Sequence, residues 1–252
     1  MLPVGDETGK RNHAFPIINI SIIALNFLVF FYELSLGGGL DRFITGYGNI
    51  PYEMVHGVDL VGRVYGGVPQ FAGPTPIYLT LLTSIFMHGG WAHILGNMLY
   101  LFIFGDNVED GMGALPYFVF YLLSGLAASA TQIVVVLVSS GNEFIPSVGA
   151  SGAIAGVLGA YLVMFPRAQV RVLLTLGFFF YMTRIAAVFV LGFWFVMQLF
   201  SGVADLTPNT AQTGGGVAFW AHIGGFAFGA LVALIFFRER SQPNYGYDQP
   251  RQ

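Results

Sequence analysis

Six apolar runs constrain this chain more than anything else in it, most of them near the roughly 20 residues needed to cross a hydrocarbon core about 30 Å thick. They cover about Ala14 to Leu36, Trp91 to Phe104 continuing toward Val108, Leu115 to Ser139, Ser151 to just before Pro166, Ile185 to Phe200, and Val217 to Phe237. The first is too long, and too poorly followed by small-residue cleavage signals, to be a removable signal peptide. Asp106 to Gly111 reads as the polar turn between the second and third spans. From Val170 the chain stays apolar for too long to be one span, and Arg184 breaks it into an interfacial connection followed by the fifth helix. The fold class expected is an all-α membrane protein, a six-transmembrane-helix bundle with a long external first loop from Gly37 to Tyr78. Residues 1–14 read as a cytoplasmic tail, 15–237 as the membrane domain, and 238–252 as a disordered cytoplasmic tail.

Charge agrees with a lipid solvent. Charged residues make up 9% of the chain and hydrophobic ones 55%, against roughly 25% charged in an ordinary soluble domain. The net charge of -3 and the lack of any basic block give nucleic acid nothing to bind. With no cysteine, a disulfide framework, a thiolate nucleophile and a thiolate metal site are all excluded. Lys10, Arg11, Arg167, Arg171, Arg238, Arg240 and Arg251 fall on one side of a six-span topology, and Arg42 and Arg63 on the other. Basic flanks stay cytoplasmic, so both termini are expected inside, and Ser151 and His222 toward the outer face.

A polar residue at membrane depth is costly unless it is paired or faces a cavity. Ser151 stands in Gly149-Ala150-Ser151-Gly152, at the start of the short fourth span. His88, His93 and Asn97 open the second, and His222 lies in Ala221-His222-Ile223-Gly224-Gly225 on the sixth. His93 and Asn97 are four apart, so on a helix they share a face. A serine hydroxyl becomes a nucleophile when a neighbouring base takes its proton, and histidine is the side chain suited to that near neutral pH. An oxyanion formed on a carbonyl needs donors aimed at it, and the Ser151 amide at a helix start, His93 and Asn97 offer them. Asp205 falls in the outer loop before the sixth span and Glu109 at the opposite end of the second, so no acid is evident near His222 and a Ser-His dyad is expected rather than a triad.

Bland readings stand beside these. Ser151-x3-Ala155-x3-Gly159 and Ala221-x3-Gly225-x3-Gly229 are small-residue stripes of the kind that let helices pack closely. Packing of that kind is also what would bring Ser151 to His222. His88, His93 and Glu109 do not have metalloprotease spacing, so no metal and no cofactor is expected. His13 and His56 lie in polar flanks.

In His88-x4-His93-x3-Asn97, Gly149-Ala150-Ser151-Gly152 and Ala221-His222-x2-Gly225, taken in that order, the chain resembles the rhomboid intramembrane serine proteases of the bacterial six-helix type from about Ile17 to Phe237. The resemblance implies Ser151 as nucleophile, His222 as general base, His93, Asn97 and the Ser151 backbone as oxyanion hole, and His88 as a loop anchor, with Gly149, Gly152 and Gly225 in support. It implies cleavage of single-span membrane proteins in a lipid bilayer, here a bacterial cytoplasmic membrane, with the fifth helix and Ser201 to Gly216 as the parts that move. Glu109 matches a family position that orders the loop region or helix packing. Two departures stand out. The Trp-Arg pair of many members' first loop is absent between Gly37 and Tyr78, and Ala155 replaces the aromatic that in some members stacks on the histidine, leaving Trp220 or packing to hold His222. The alternatives are a catalytically silent relative that binds membrane clients and a small transporter.

Overall fold

The structure, a computed structural model, describes residues 2–8, 15–65, 68–139, 143–176, 179–206 and 217–237. Strand β1 (Leu2–Glu7) leads into helix α1 (Ile17–Ser35). The first loop folds into α2 (Leu40–Tyr47), α3 (Pro51–His56), the two-residue strands β2 (Val64–Tyr65) and β3 (Val68–Pro69), and α4 (Thr80–Thr83). The bundle continues with α5 (Trp91–Met112), α6 (Ala114–Val138) and α7 (Ser151–Met164). Strands β4 (Gln169–Leu176) and β5 (Phe179–Ala186) then precede α8 (Ala187–Asp205) and α9 (Phe219–Phe236). Among the described residues four helices, α1, α6, α8 and α9, are long and apolar enough to span a membrane; α5 carries acids in its last turns and α7 is short. Together these six form the helical membrane bundle. Its outward side chains, such as Leu28, Phe102, Phe189, Phe200 and Ile235, are exposed, as expected where lipid replaces water as the solvent.

Helix α7 is the axis of the bundle, with eleven of its fourteen residues buried. Its glycines and those of α9 make that possible. A Cβ on Gly225 would run into the carbonyl oxygen of Gly152, one on Gly229 into that of Gly156, and one on Gly159 into that of Phe226. The backbones of α7 and α9 therefore touch, which is the close approach that small residues permit between membrane helices.

The polar ends depart from the sequence expectation in three places. Asp106 to Gly111 is not a turn, because α5 continues to Met112 and the reversal is made at Gly113, at φ +90. The helix persists because its polar residues have buried partners. Glu109 accepts the amide hydrogens of Ile18 (3.1 Å) and Asn19 (2.7 Å), so a side chain of α5 caps the first turn of α1. Asn19 in turn donates to the Leu101 carbonyl (3.1 Å) and accepts from the Tyr117 hydroxyl (2.8 Å), joining α1, α5 and α6. Glu109 thus packs helices at the end remote from the start of α7. Replacing it with alanine is expected to cost about 1–3 kcal/mol, read as a Tm loss of about 2–4 °C per kcal/mol in detergent.

The second departure is that residues 2–7, read as tail, form a strand. The third is that the connection after α7 is a hairpin. Strands β1, β4 and β5 make an antiparallel sheet in that order, with Leu2 opposite Leu173 and Gln169 opposite Ala186. Val170 and Val172 are buried and Arg171 is exposed, a two-residue period inside a run that reads as uniformly apolar. β1 covers the free edge of β4. It is pinned by Thr8 Oγ1 donating to Asn107 Oδ1 (2.7 Å), by Asn107 Nδ2 and Tyr161 Oη donating to Asp6, and by Arg184 against Glu7 at 3.2 Å. Helix α8 consequently starts at Ala187 rather than Ile185. The expected tail at 238–252, with Arg238, Arg240 and Arg251, lies outside the described residues, as do Lys10, Arg11, His13 and most of the loop from Ser201 to Gly216.

Candidate active site

Helices α5, α7 and α9 alternate with the other spans and run the same way, so their first turns meet at one end of the bundle. Residues from all three, His93, Asn97, Ser151 and His222, line one cavity of about 880 Å³ there. The segment leading into α7 is held on both sides. Asn49 and Ser147 exchange backbone hydrogen bonds (3.0 and 2.8 Å), the Tyr52 amide donates to the Glu143 carbonyl (3.0 Å), and the Gly149 amide donates to Ser84 O (2.9 Å). Phe144 stacks on Tyr65 at 3.9 Å between centroids and leans on Tyr52 at 4.9 Å. The first loop therefore fixes the height at which Ser151 begins its helix. Lacking the Trp-Arg pair, this loop places Arg42 over the Phe71 ring at 4.7 Å.

Glu53 in α3 carries a testable consequence. It is buried and accepts the Leu60 amide at 2.9 Å, and burial pushes its carboxyl from 4.5 up to about 7. The folded loop keeps a proton that the unfolded chain has already released, so the loop stability Glu53 contributes is full below about pH 4.5 and lost as pH rises through about 7. Hydrogen exchange at Leu60, corrected for intrinsic rates, is expected to lose protection across that window, and Glu53→Gln is expected to flatten the dependence.

Gly149 sits at φ +133, where a side chain is strained, and a Cβ there would lie 2.8 Å from His93 Cε1 and Nε2 and 3.8 Å from Ser151 Oγ. His93 and Ser151 thus flank one small space that only glycine leaves open. The Gly89 amide reaches His93 Nδ1 at 3.4 Å. An Nδ1 that accepts leaves the proton on Nε2, which makes that atom a donor on the Ser151 side. Asn97 Nδ2 is buried with no hydrogen-bond partner, a second donor in the same cavity. His88 is buried and anchors through its main chain: its amide is 3.2 Å from both carboxylate oxygens of Glu33 in α1, and its ring lies 5.1 Å from that of His93, edge to face. Gly225 serves the α7–α9 crossing, and Gly152 lets α7 approach Ala128 of α6.

His222 is 8% exposed, with Nε2 buried and without a hydrogen bond; its other nitrogen, Nδ1, lies 2.8 Å from Gln198 Oε1. The Trp194 ring is 5.9 Å away at 36°. Of the two supports expected, Trp220 or packing alone, Trp220 turns its Nε1 to the Gly202 carbonyl at 3.2 Å, and the ring contacts of His222 come from Gln198 and Trp194. Gln132 of α6 accepts the Ala221 amide at 3.2 Å and steadies the first turn of α9 just before His222. Gln132, Gln198 and Glu33 are absent from the sequence reading, although the filter that selects Asn97, a polar side chain at membrane depth, applies equally to them. This constellation gathers a hydroxyl, an imidazole and two further donors around one cavity.

The model of the Rhomboid domain matches residues 76–239. The chain is similar to RHOMBOID-like protein 1 of Arabidopsis thaliana, 33% identical over 171 residues, which is 68% of this chain and 37% of that protein. It is 30% identical over 153 residues to Rhomboid protein 1, mitochondrial, of Saccharomyces cerevisiae, covering 61% of this chain and 40% of the relative. Over 123 residues it is 27% identical to Inactive rhomboid protein 1 of Drosophila melanogaster, 48% of this chain and 8% of that one. The matched segment spans less than half the length of each of these relatives.

Proposed function

This chain belongs to the rhomboid family, and from that membership we propose that it is an intramembrane serine endopeptidase acting on single-span membrane proteins. The observation that carries the reading is the convergence of Ser151, His222, His93 and Asn97 on one cavity at one end of the bundle. In this reading Ser151 Oγ attacks the scissile carbonyl while His222 Nε2 takes its proton. The oxyanion meets the Ser151 amide, His93 Nε2–H and Asn97 Nδ2. The tetrahedral adduct collapses, the leaving amine takes the proton from His222, and the acyl group on Ser151 is released by water that His222 activates in the same way. A substrate helix must unwind to present a carbonyl, which favours segments rich in small or helix-weakening residues. The chain is a multi-pass membrane protein. We orient it with both termini cytoplasmic and the cavity facing out, on the side preference of its basic residues, and assign it to a bacterial cytoplasmic membrane on its likeness to the six-helix bacterial type.

A client-binding member without chemistry is the second reading, favoured by the relative named inactive. A fluorophosphonate probe separates the two: wild-type protein is expected to label and Ser151→Ala not to. Equal labelling of the two proteins, or none of either, would sink the protease reading.

A further inference from the structure

Among the described residues no carboxylate hydrogen-bonds to His222, and the position one turn after Ser151 is Ala155 rather than an aromatic. Yet the histidine ring is held. Gln198 and Trp194, one turn apart on α8, reach it together: Gln198 Oε1 is 2.8 Å from Nδ1, and the Trp194 ring packs at 5.9 Å. An amide oxygen has lone pairs and no hydrogen, so this bond forms only when Nδ1 carries the proton. A neutral imidazole has one N–H, and Nε2 is then left with its lone pair. Nε2 is the nitrogen that is buried without a partner, on a histidine that shares a cavity with Ser151.

We propose that Gln198 is a positioning residue for His222, a neutral stand-in for the carboxylate of a catalytic triad. It fixes the Nδ1–H tautomer and the ring's angle, so that Nε2 is always the base. This rests on the protease reading for its purpose, but not for its geometry. The choice of glutamine has a physical reason. Helix α8 buries only four of its nineteen residues, Ala187, Val190, Leu191 and Gly202, and an ionised carboxylate on such a lipid-facing helix is costly. Glutamine offers the same acceptor with no charge. Trp194 packs beside the same ring from the same helix. The titratable groups lining the cavity around His222 are His93 and Tyr100 from α5 and Asp205 from the end of α8.

The test reads the tautomer directly. Protein carrying Ser151→Ala and ¹⁵N-histidine, with His222→Ala to assign the signal, is expected to show His222 protonated at Nδ1 and bare at Nε2 at neutral pH. Gln198→Met, which keeps the length and loses the acceptor, is expected to mix the two tautomers. A wild-type ring protonated at Nε2, or an unchanged ring in Gln198→Met, would overturn the assignment. In cleavage assays Gln198→Met is expected to lower kcat by on the order of 10²-fold with KM within about twofold, and Gln198→Glu to restore part of it while moving the acid limb of the pH profile to higher pH. Full kcat in Gln198→Met overturns the proposal. A wild-type protein that neither labels nor cleaves defeats the protease reading instead, and the tautomer measurement still judges Gln198.

Discussion

Gly229→Val is expected to unfold the bundle or lower its Tm steeply, at a cost on the order of 3–5 kcal/mol. The reason is local. Its first added carbon would occupy the place of the Gly156 carbonyl oxygen, with the Gly156 carbonyl carbon and Cα at 2.6 and 2.7 Å. A flexible side chain can yield to such a contact, but helix backbone cannot without moving α9 away from α7. Separation at that crossing also carries His222 away from Ser151, because Gly225, three residues along α9, meets Gly152 beside the serine in the same way. Gly192 of α8 is the control, since nothing lies within 4 Å of a Cβ placed there. Gly192→Ala is expected to stay within about 0.5 kcal/mol of wild type. Thermal unfolding in detergent compares the pair, and equal midpoints would contradict a backbone crossing.

The same crossing shows why some of this molecule is legible in sequence and some is not. Glycines at four-residue spacing on two apolar runs already announce two helices that touch, and a serine and a histidine next to those stripes are brought to one cavity by the touching itself. Spans are legible because lipid imposes one length and one polarity on every one of them. Strands β4 and β5 are not, because apolar composition hides the alternation of Val170, Arg171 and Val172 until one knows which face is covered. Residues 2–7 look like a tail because their partners, Asn107 and Tyr161, lie some hundred positions or more away and no local period encodes them. Glu109 looks like part of a turn for a related reason: its role is to cap a different helix. Gln198 differs from these. Its oddity is visible in a run of Phe, Val, Met and Leu, but the partner that explains it stands on another span.

The proposed dyad makes the second large prediction. Ser151→Ala and His222→Ala are each expected to lower cleavage of a single-span substrate by on the order of 10⁴-fold or more, and the double variant to be no slower than either. In the proposed mechanism nucleophile and base act in one step, so removing either leaves the other nothing to do. Two residues that merely packed a cavity would instead add their effects. Asn97→Ala supplies the contrast. A donor that meets only the developing oxyanion is worth roughly 10²- to 10³-fold in kcat, and its loss is expected to leave KM and Ser151 binding chemistry in place. Initial rates for the three variants and the double, measured in one detergent at matched protein, decide the matter. His222→Ala keeping more than about a tenth of the wild-type rate would mean that another group takes the proton of Ser151. His93, the other imidazole beside the serine, would then be the next residue to replace.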